Sequence, residues 1–151
     1  MKMSSCRTEY VSLSPQDTEA FGRRLASRLE PGSVIALSGG LGAGKTCLVK
    51  GIASALGINE NITSPTYTII NEYKLNSRPD DRSLFHIDAY RLAGDEDFAS
   101  TGAGECFSSG GITIIEWSER IPGSIPSGAI SIEIEISGPQ SRIFRLRGLS
   151  L

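Results

Sequence analysis

Between residues 39 and 46 the chain reads Gly39-Gly40-Leu41-Gly42-Ala43-Gly44-Lys45-Thr46, which satisfies the spacing G-x-x-x-x-G-K-[ST]. In that pattern successive backbone N–H groups curl around phosphate oxygens. The stretch narrows the choice of fold, because such a loop works only where a strand delivers the chain to it and a helix carries the chain away. Both neighbours are legible. Val34-Ile35-Ala36-Leu37 is a compact apolar run of the kind that fills the centre of a sheet covered on both faces. From Lys45 onward, Leu48, Val49, Ile52, Ala53 and Leu56 fall on one face of a helix, and Gly57 supplies its stop.

The glycines let the backbone bend, and a side chain at Gly44 is expected to intrude where the main chain approaches phosphate. The helix beginning near Lys45 adds the positive end of its dipole and free N–H groups. Lys45 is expected to bridge the β- and γ-phosphates, and Thr46 to place its hydroxyl on Mg²⁺, a metal that prefers oxygen ligands. ATP with Mg²⁺ is the expected ligand, with residues Gly39, Gly40, Leu41, Gly42, Ala43, Gly44, Lys45, Thr46 and Cys47 around it.

At 151 residues the chain suits one domain with one sizeable core. Tyr10 to Leu13 reads as a short strand. Ser14-Pro15-Gln16-Asp17 then opens a helix with a hydroxyl N-cap, proline where no donor is needed and an acid in the first turn. Phe21, Leu25 and Leu29 follow at helical spacing, and Pro31-Gly32 breaks the helix. Thr66 to Tyr73, Leu84 to Asp88 and Ile112 to Ile115 have strand composition, and a helix is expected over Glu96 to Phe107. Ile130, Ile132, Ile134 and Ile136 alternate with Ser131, Glu133 and Glu135. That pattern marks a strand with one wet face, and Ser137-Gly138-Pro139 turns it back into Ile143 to Leu146. The fold expected is α/β and P-loop NTPase-like: a mostly parallel sheet flanked by helices, ending in an antiparallel hairpin.

Two acids end strands. Asp88 follows Leu84-Phe85-His86-Ile87, and Glu116 follows Ile112-Thr113-Ile114-Ile115. Either could hold Mg²⁺-bound water or orient an attacking water, and ligands of open α/β sheets sit off the C-terminal ends of strands. Spacing does not rank the two.

The net charge of -2, with no Lys/Arg block, argues against a protein that grips nucleic acid by its own basic surface. No stretch approaches the ~18 apolar residues of a membrane span, so no membrane role and a cytoplasmic location are expected. Cys6, Cys47 and Cys106 are too scattered, with one histidine in the chain, for a zinc site, and read as reduced thiols.

Four ordered blocks then resemble a known family. They are Leu41-Gly42-Ala43-Gly44-Lys45-Thr46, Ser64-Pro65-Thr66-Tyr67-Thr68, His86-Ile87-Asp88-Ala89-Tyr90-Arg91-Leu92 and Ile115-Glu116-Trp117-Ser118-Glu119. Together they resemble TsaE (YjeE), the ATPase of bacterial tRNA threonylcarbamoyladenosine biosynthesis. The resemblance implies a P-loop ATPase that works with two partner proteins, TsaB and TsaD, and touches tRNA through that complex. It implies Thr46 and Glu116 as the Mg²⁺-associated residues, Asp88 as a Walker B-like acid, and Ser64 to Thr66 as a switch-like loop with Thr66 facing the nucleotide. Lys45, Asp88 and Glu116 are the residues expected to carry turnover. The chain departs from the family pattern at Gly40, where an acidic residue is common, at Cys47, where a hydroxyl is common, and in the polar stretch Ala99-Ser100-Thr101-Gly102.

His86 reads as a hydrogen-bonded core residue rather than a base; Trp117 reads as packing, with shielding of the site or contact with a partner as the alternative; and Arg142, Arg145 and Arg147 read as charges guarding a sheet edge, with contact to tRNA or a partner as the alternative. A small-molecule kinase also fits the loop, but Lys74 to Ser83 is short for an acceptor lid and carries only Arg78 and Arg82. A nucleotide-gated adaptor with little hydrolysis is the other alternative. No N-K-x-D stretch is present to read guanine.

Overall fold

The computed structural model describes residues 7–65, 68–75 and 82–151. Among them the chain order is β1 (Arg7–Ser12), α1 (Pro15–Ala26), β2 (Val34–Ser38), α2 (Lys45–Ala55), β3 (Ile70–Lys74), β4 (Ser83–Asp88), α3 (Asp95–Thr101), β5 (Ile112–Glu116), β6 (Ile130–Ile136) and β7 (Arg142–Arg147). Short 3₁₀ turns occupy Ala103–Ser108, Ser118–Arg120 and Pro122–Ser124.

All seven strands join one sheet in the order β1-β7-β6-β2-β5-β4-β3. β2 pairs in parallel with both β5 and β6, and β4 in parallel with β5. The pairs β1–β7, β6–β7 and β3–β4 are antiparallel. The expectation of a mostly parallel sheet therefore holds for strand direction, since only β3 and β7 run against the others. The expected C-terminal hairpin is β6–β7, paired from Ser131↔Arg147 to Ile136↔Arg142.

Period-two alternation decides what each face of the sheet carries. In β2, Ile35 and Leu37 join the core under α1 and α2, while Val34 faces the second core under α3 and the 3₁₀ turns. The strand is therefore apolar from Val34 to Leu37. α1 begins as the sequence reads: the Ser14 hydroxyl accepts from Asp17 N (3.0 Å), while the Asp17 carboxylate accepts from Leu13 N (3.0 Å). Its buried stripe of Phe21, Gly22, Leu25 and Ala26 lies against α2. Among the described residues no helix covers the outer face of β1, β7 and β6; Arg145 sits there between Glu9 (3.5 Å), Glu133 (3.9 Å) and Glu135 (2.7 Å). The edge-guarding expected of Arg142, Arg145 and Arg147 fails, because β7 lies between β1 and β6 and the edge strands are β1 and β3; Arg145 instead pairs with acids on its two neighbouring strands.

Two expectations are corrected. The helix placed over Glu96 to Phe107 stops at Thr101, because Gly102 turns left-handed (φ 73°) and the chain continues as a 3₁₀ turn. The strand expected from Thr66 begins only at Ile70: Ile69 N donates to Pro65 O (3.1 Å), and Ile69 itself takes φ 67°, so the backbone is turning where a strand was anticipated. Thr66, Cys6, Arg78 and the middle of the stretch between Lys74 and Ser83 lie outside the described residues.

Candidate functional site

Alternation also explains how two strand-end acids reach the phosphate loop. Leu84 and Ile114 face α1 and α2, so Asp88 and Glu116, in step with them along β4 and β5, project from the same face at the C-terminal ends. The register sets them side by side, Asp88↔Glu116, and brings both to the N-terminus of α2. There an open cleft of about 420 Å³ is lined by the loop from Leu41 to Cys47 and by Ser64, Asp88, Tyr90, Glu116 and Trp117.

The two acids are held differently. Glu116 is buried and accepts from the Thr46 hydroxyl (3.3 Å), from Ser64 (3.4 Å) and from His86, whose Nε2 lies 2.6 Å from Oε2. Asp88 accepts from the Ser64 hydroxyl (2.6 Å) and from Tyr90 N (2.9 Å). Ser64, at the start of the expected switch loop, therefore ties both carboxylates to that segment. His86 is a buried core residue, as anticipated, but its partner is a site carboxylate rather than the main chain.

Lys45 Nζ donates to the carbonyls of Gly39 and Gly40, the latter at 2.9 Å, and stands 3.9 Å from the centre of the Trp117 ring. Burial pushes its pKa down, opposed by the negative charge of Glu119, Glu116 and Asp88. Trp117 is more than packing: it lines the cleft, touches Tyr90 at 4.9 Å between ring centres, and has the left-handed φ of 58°. Ile69 and Trp117 are the non-glycine residues with positive φ among the described residues. Each adjoins an acid of the site, since Ile69 O accepts from Asp88 N (2.8 Å) and Trp117 follows Glu116. Such backbone costs on the order of 1 kcal/mol or more and concentrates at functional sites.

The loop glycines answer to different constraints. A Cβ at Gly44 would meet no protein atom within 4 Å, which leaves the expected conflict with phosphate as it stood, and the backbone φ of 98° at the helix N-cap adds a demand for glycine of its own. The crowded position is Gly39, where a Cβ would stand 2.7 Å from Ile134 O. Gly40 faces open space, so no neighbour dictates its lack of a side chain. Gly39 and Gly40 do not line the cleft. They floor an adjoining trough with Glu119, Glu133 and Ile136, and Gly39 N donates to Glu119 (3.0 Å). Cys47 lines the cleft, but its thiol donates to Pro15 O (3.4 Å) and burial pushes its pKa up, which favours the thiol over the thiolate.

Sequence reasoning missed the support given by Ser64, Tyr90 and Glu119, and it misjudged Arg142. Arg142 bonds to carbonyls of the phosphate loop rather than guarding an edge. The available signal was parity, since Arg142 shares a face of β7 with buried Phe144 and Leu146, on the side of α2.

Comparison with known proteins finds relatives of one description along most of the chain. A family model described as "Threonylcarbamoyl adenosine biosynthesis protein TsaE" matches residues 12–144. The tRNA threonylcarbamoyladenosine biosynthesis protein TsaE of Treponema pallidum is 44% identical over 132 residues, covering 87% of this chain and 94% of its own. That of Bacillus subtilis is 36% identical over 134 residues, covering 89% and 81%. A crystal structure of Bacillus subtilis YdiB superposes with a TM-score of 0.79 at 29% identity, covering 99% of this chain and 90% of that one.

Proposed function

This chain belongs to the TsaE family of threonylcarbamoyl adenosine biosynthesis proteins, and on that footing we propose that it binds ATP with Mg²⁺ and hydrolyses it in the making of threonylcarbamoyladenosine on tRNA, working with TsaB and TsaD. The observation that carries the nucleotide reading is the convergence of Lys45 and Thr46 with Asp88 and Glu116 on one cleft at a helix N-terminus. The residues fit the ligand. Lys45 offers an ammonium group that at present rests on loop carbonyls. The Thr46 hydroxyl and Glu116 carboxylate form a pair of hard oxygen donors 3.3 Å apart. Magnesium, when bound, supplies charge that offsets the phosphate oxygens.

The protein's own groups have separable tasks. Loop N–H groups and Lys45 bind phosphate. Glu116, oriented by His86 and Ser64, holds the Thr46 hydroxyl in place and is the acid best placed beside the metal. Asp88, fixed by Tyr90 N and Ser64, is positioned to orient water at the mouth of the cleft. Trp117 covers Lys45 and shields its charge from solvent, which strengthens its attraction for phosphate. A second reading, a nucleotide-gated adaptor with little hydrolysis, is favoured by Gly40, which leaves that position of the loop without an acidic side chain.

Phosphate release from the isolated chain, then with TsaB and TsaD added, distinguishes the two. Turnover that rises with the partners supports the ATPase; tight ATP binding without release supports the adaptor. Lys45→Ala is expected to weaken ATP about tenfold or more, since a hydrogen bond to a charged group contributes at least ~1.5 kcal/mol. Unchanged affinity in that variant would overturn the nucleotide reading. Stoichiometric phosphorylation of a small acceptor would replace it with a kinase.

A further inference from the structure

One side chain grips the phosphate loop from outside the cleft. Arg142 Nη2 donates to Gly42 O (2.9 Å) and Nε to Ala43 O (3.1 Å), while Nη1 donates to Gly138 O (3.0 Å) and Ser141 O (2.8 Å) in the β6–β7 turn. Four carbonyls from two loops are held by one planar, permanently charged fork, a geometry that lysine does not reproduce. Arg142 does not line the cleft. It borders a separate hollow of about 100 Å³ with Pro15, Thr18, Cys47 and Gln140.

The planar trans peptide gives this grip a consequence on the other side. A carbonyl and the N–H that follows it point in opposite directions. Pinning Ala43 O therefore aims Gly44 N–H away from Arg142, and Gly44 lines the cleft. Pinning Gly42 O likewise fixes the peptide whose N–H, on Ala43, bonds to Gly40 O (3.2 Å) and closes the turn of the loop. The loop's other holds lie mainly on Gly39 and Gly40, which Lys45 and Glu119 bond, and on buried Ala43; at Gly42 and Gly44 φ is positive and no protein atom lies where a side chain would be, and Leu41 is 73% exposed.

We propose that Arg142 is a positioning residue for phosphate binding, holding the loop in the conformation that presents its N–H groups to the ligand and coupling that conformation to the C-terminal hairpin. The inference rests on the nucleotide reading of the site and deepens it. Arg142 acts through the loop and touches no reacting atom.

The test uses the full chain with Arg142→Met, which keeps length and removes the fork, and Arg142→Lys, which keeps charge. In Arg142→Met, ATP affinity is expected to fall about tenfold. The KM for ATP is expected to rise by a similar factor while kcat at saturation stays within about twofold, the split that lost ground-state binding produces. Amide hydrogen exchange without nucleotide is expected to quicken at residues 42–45 and stay unchanged in the core strands. Arg142→Lys is expected to recover affinity only in part, and it carries the test alone if Arg142→Met does not fold. Unchanged ATP affinity and loop exchange in a folded variant would overturn the proposal. So would exchange that quickens evenly across the sheet, which marks an ordinary fold brace. If the wild-type chain binds no ATP, the nucleotide reading falls, whereas normal wild-type binding that Lys45→Ala weakens and Arg142→Met does not sinks the clamp alone.

Discussion

Glu116 and Asp88 are neighbours by register, yet their surroundings separate their roles. Glu116 is linked to the first turn of α2 through Thr46 and to the sheet through His86. Asp88 is linked to the chain on either side of β4, through Ser64 and Tyr90 N. An acid that shares Thr46 should be felt in metal affinity, and one held by Ser64 and Tyr90 N without contact to Thr46 should be felt more in rate. Glu116→Gln is therefore expected to raise the Mg²⁺ concentration needed for half-maximal ATP binding about tenfold, roughly the 1.4 kcal/mol of one charge-assisted contact. Asp88→Asn is expected to shift that midpoint less and to lower turnover more. Titrating Mg²⁺ against ATP binding in each variant checks the assignment, and the reverse ranking would exchange the two roles. Neither residue could be ranked from spacing, because both end apolar strands. The difference lies mainly in side-chain partners 24 to 70 positions away along the chain.

At the scale of elements, α1 and α2 pack unusually closely, and glycine is the reason. A Cβ on Gly51 would stand 2.3 Å from Glu19 O, and one on Gly22 2.7 Å from Leu48 O. Both obstacles are backbone, so a side chain at either place must push the helices apart. Gly51→Ala gains helix propensity of about 1 kcal/mol, yet overpacking commonly costs 1–3 kcal/mol and here meets an unyielding atom. The expected net result is destabilisation of about 1–2 kcal/mol, read from urea unfolding, with the ATP site weakened because α2 carries Lys45 and Thr46. A gain in stability would show that the helices can separate freely. This contact was not legible in the sequence, where Gly51 looks like a blemish in an otherwise sound helix, because its meaning depends on α1 lying across it. Elements whose signal is local were legible: the β2–loop–α2 unit, the Ser14 cap and the β6–β7 hairpin follow from apolar periodicity and turn residues. The pairing of β1 with β7 and of β6 with β2 was not, since parallel and terminal strand pairings leave no mark in a short window. The site divides in the same way. The loop and the two acids were visible as strand and helix ends, whereas Arg142, Glu119 and the Ser64 bridge exist only once the sheet order is set.

Across the whole molecule, the sheet separates two cores but the same strands serve both. Val34 and Ile35 are adjacent in β2 and belong to opposite cores, as do Ile114 and Ile115 in β5. Loss of one core should therefore unseat the other. The ends of the chain close the larger core: Tyr10 of β1 stacks on Phe21 of α1 with ring centres 4.3 Å apart, and Phe144 of β7 lies 5.0 Å from Phe21 and 6.4 Å from Tyr10. Phe144 is fully buried, and truncating such a ring to alanine removes its transfer energy and leaves a cavity, together about 3–5 kcal/mol. For a chain of this size each kcal/mol moves Tm by about 2–4 °C, so Phe144→Ala is expected to melt about 10 °C or more below the wild type. The sole tryptophan, Trp117, packs against the other core and gives an independent readout there. If the two cores form one cooperative unit, Trp117 fluorescence and far-UV circular dichroism fall together in the variant, at the same lowered temperature. A fluorescence transition left at the wild-type temperature while the helical signal melts early would mean that the nucleotide cleft is held by a unit that does not need the C-terminal hairpin.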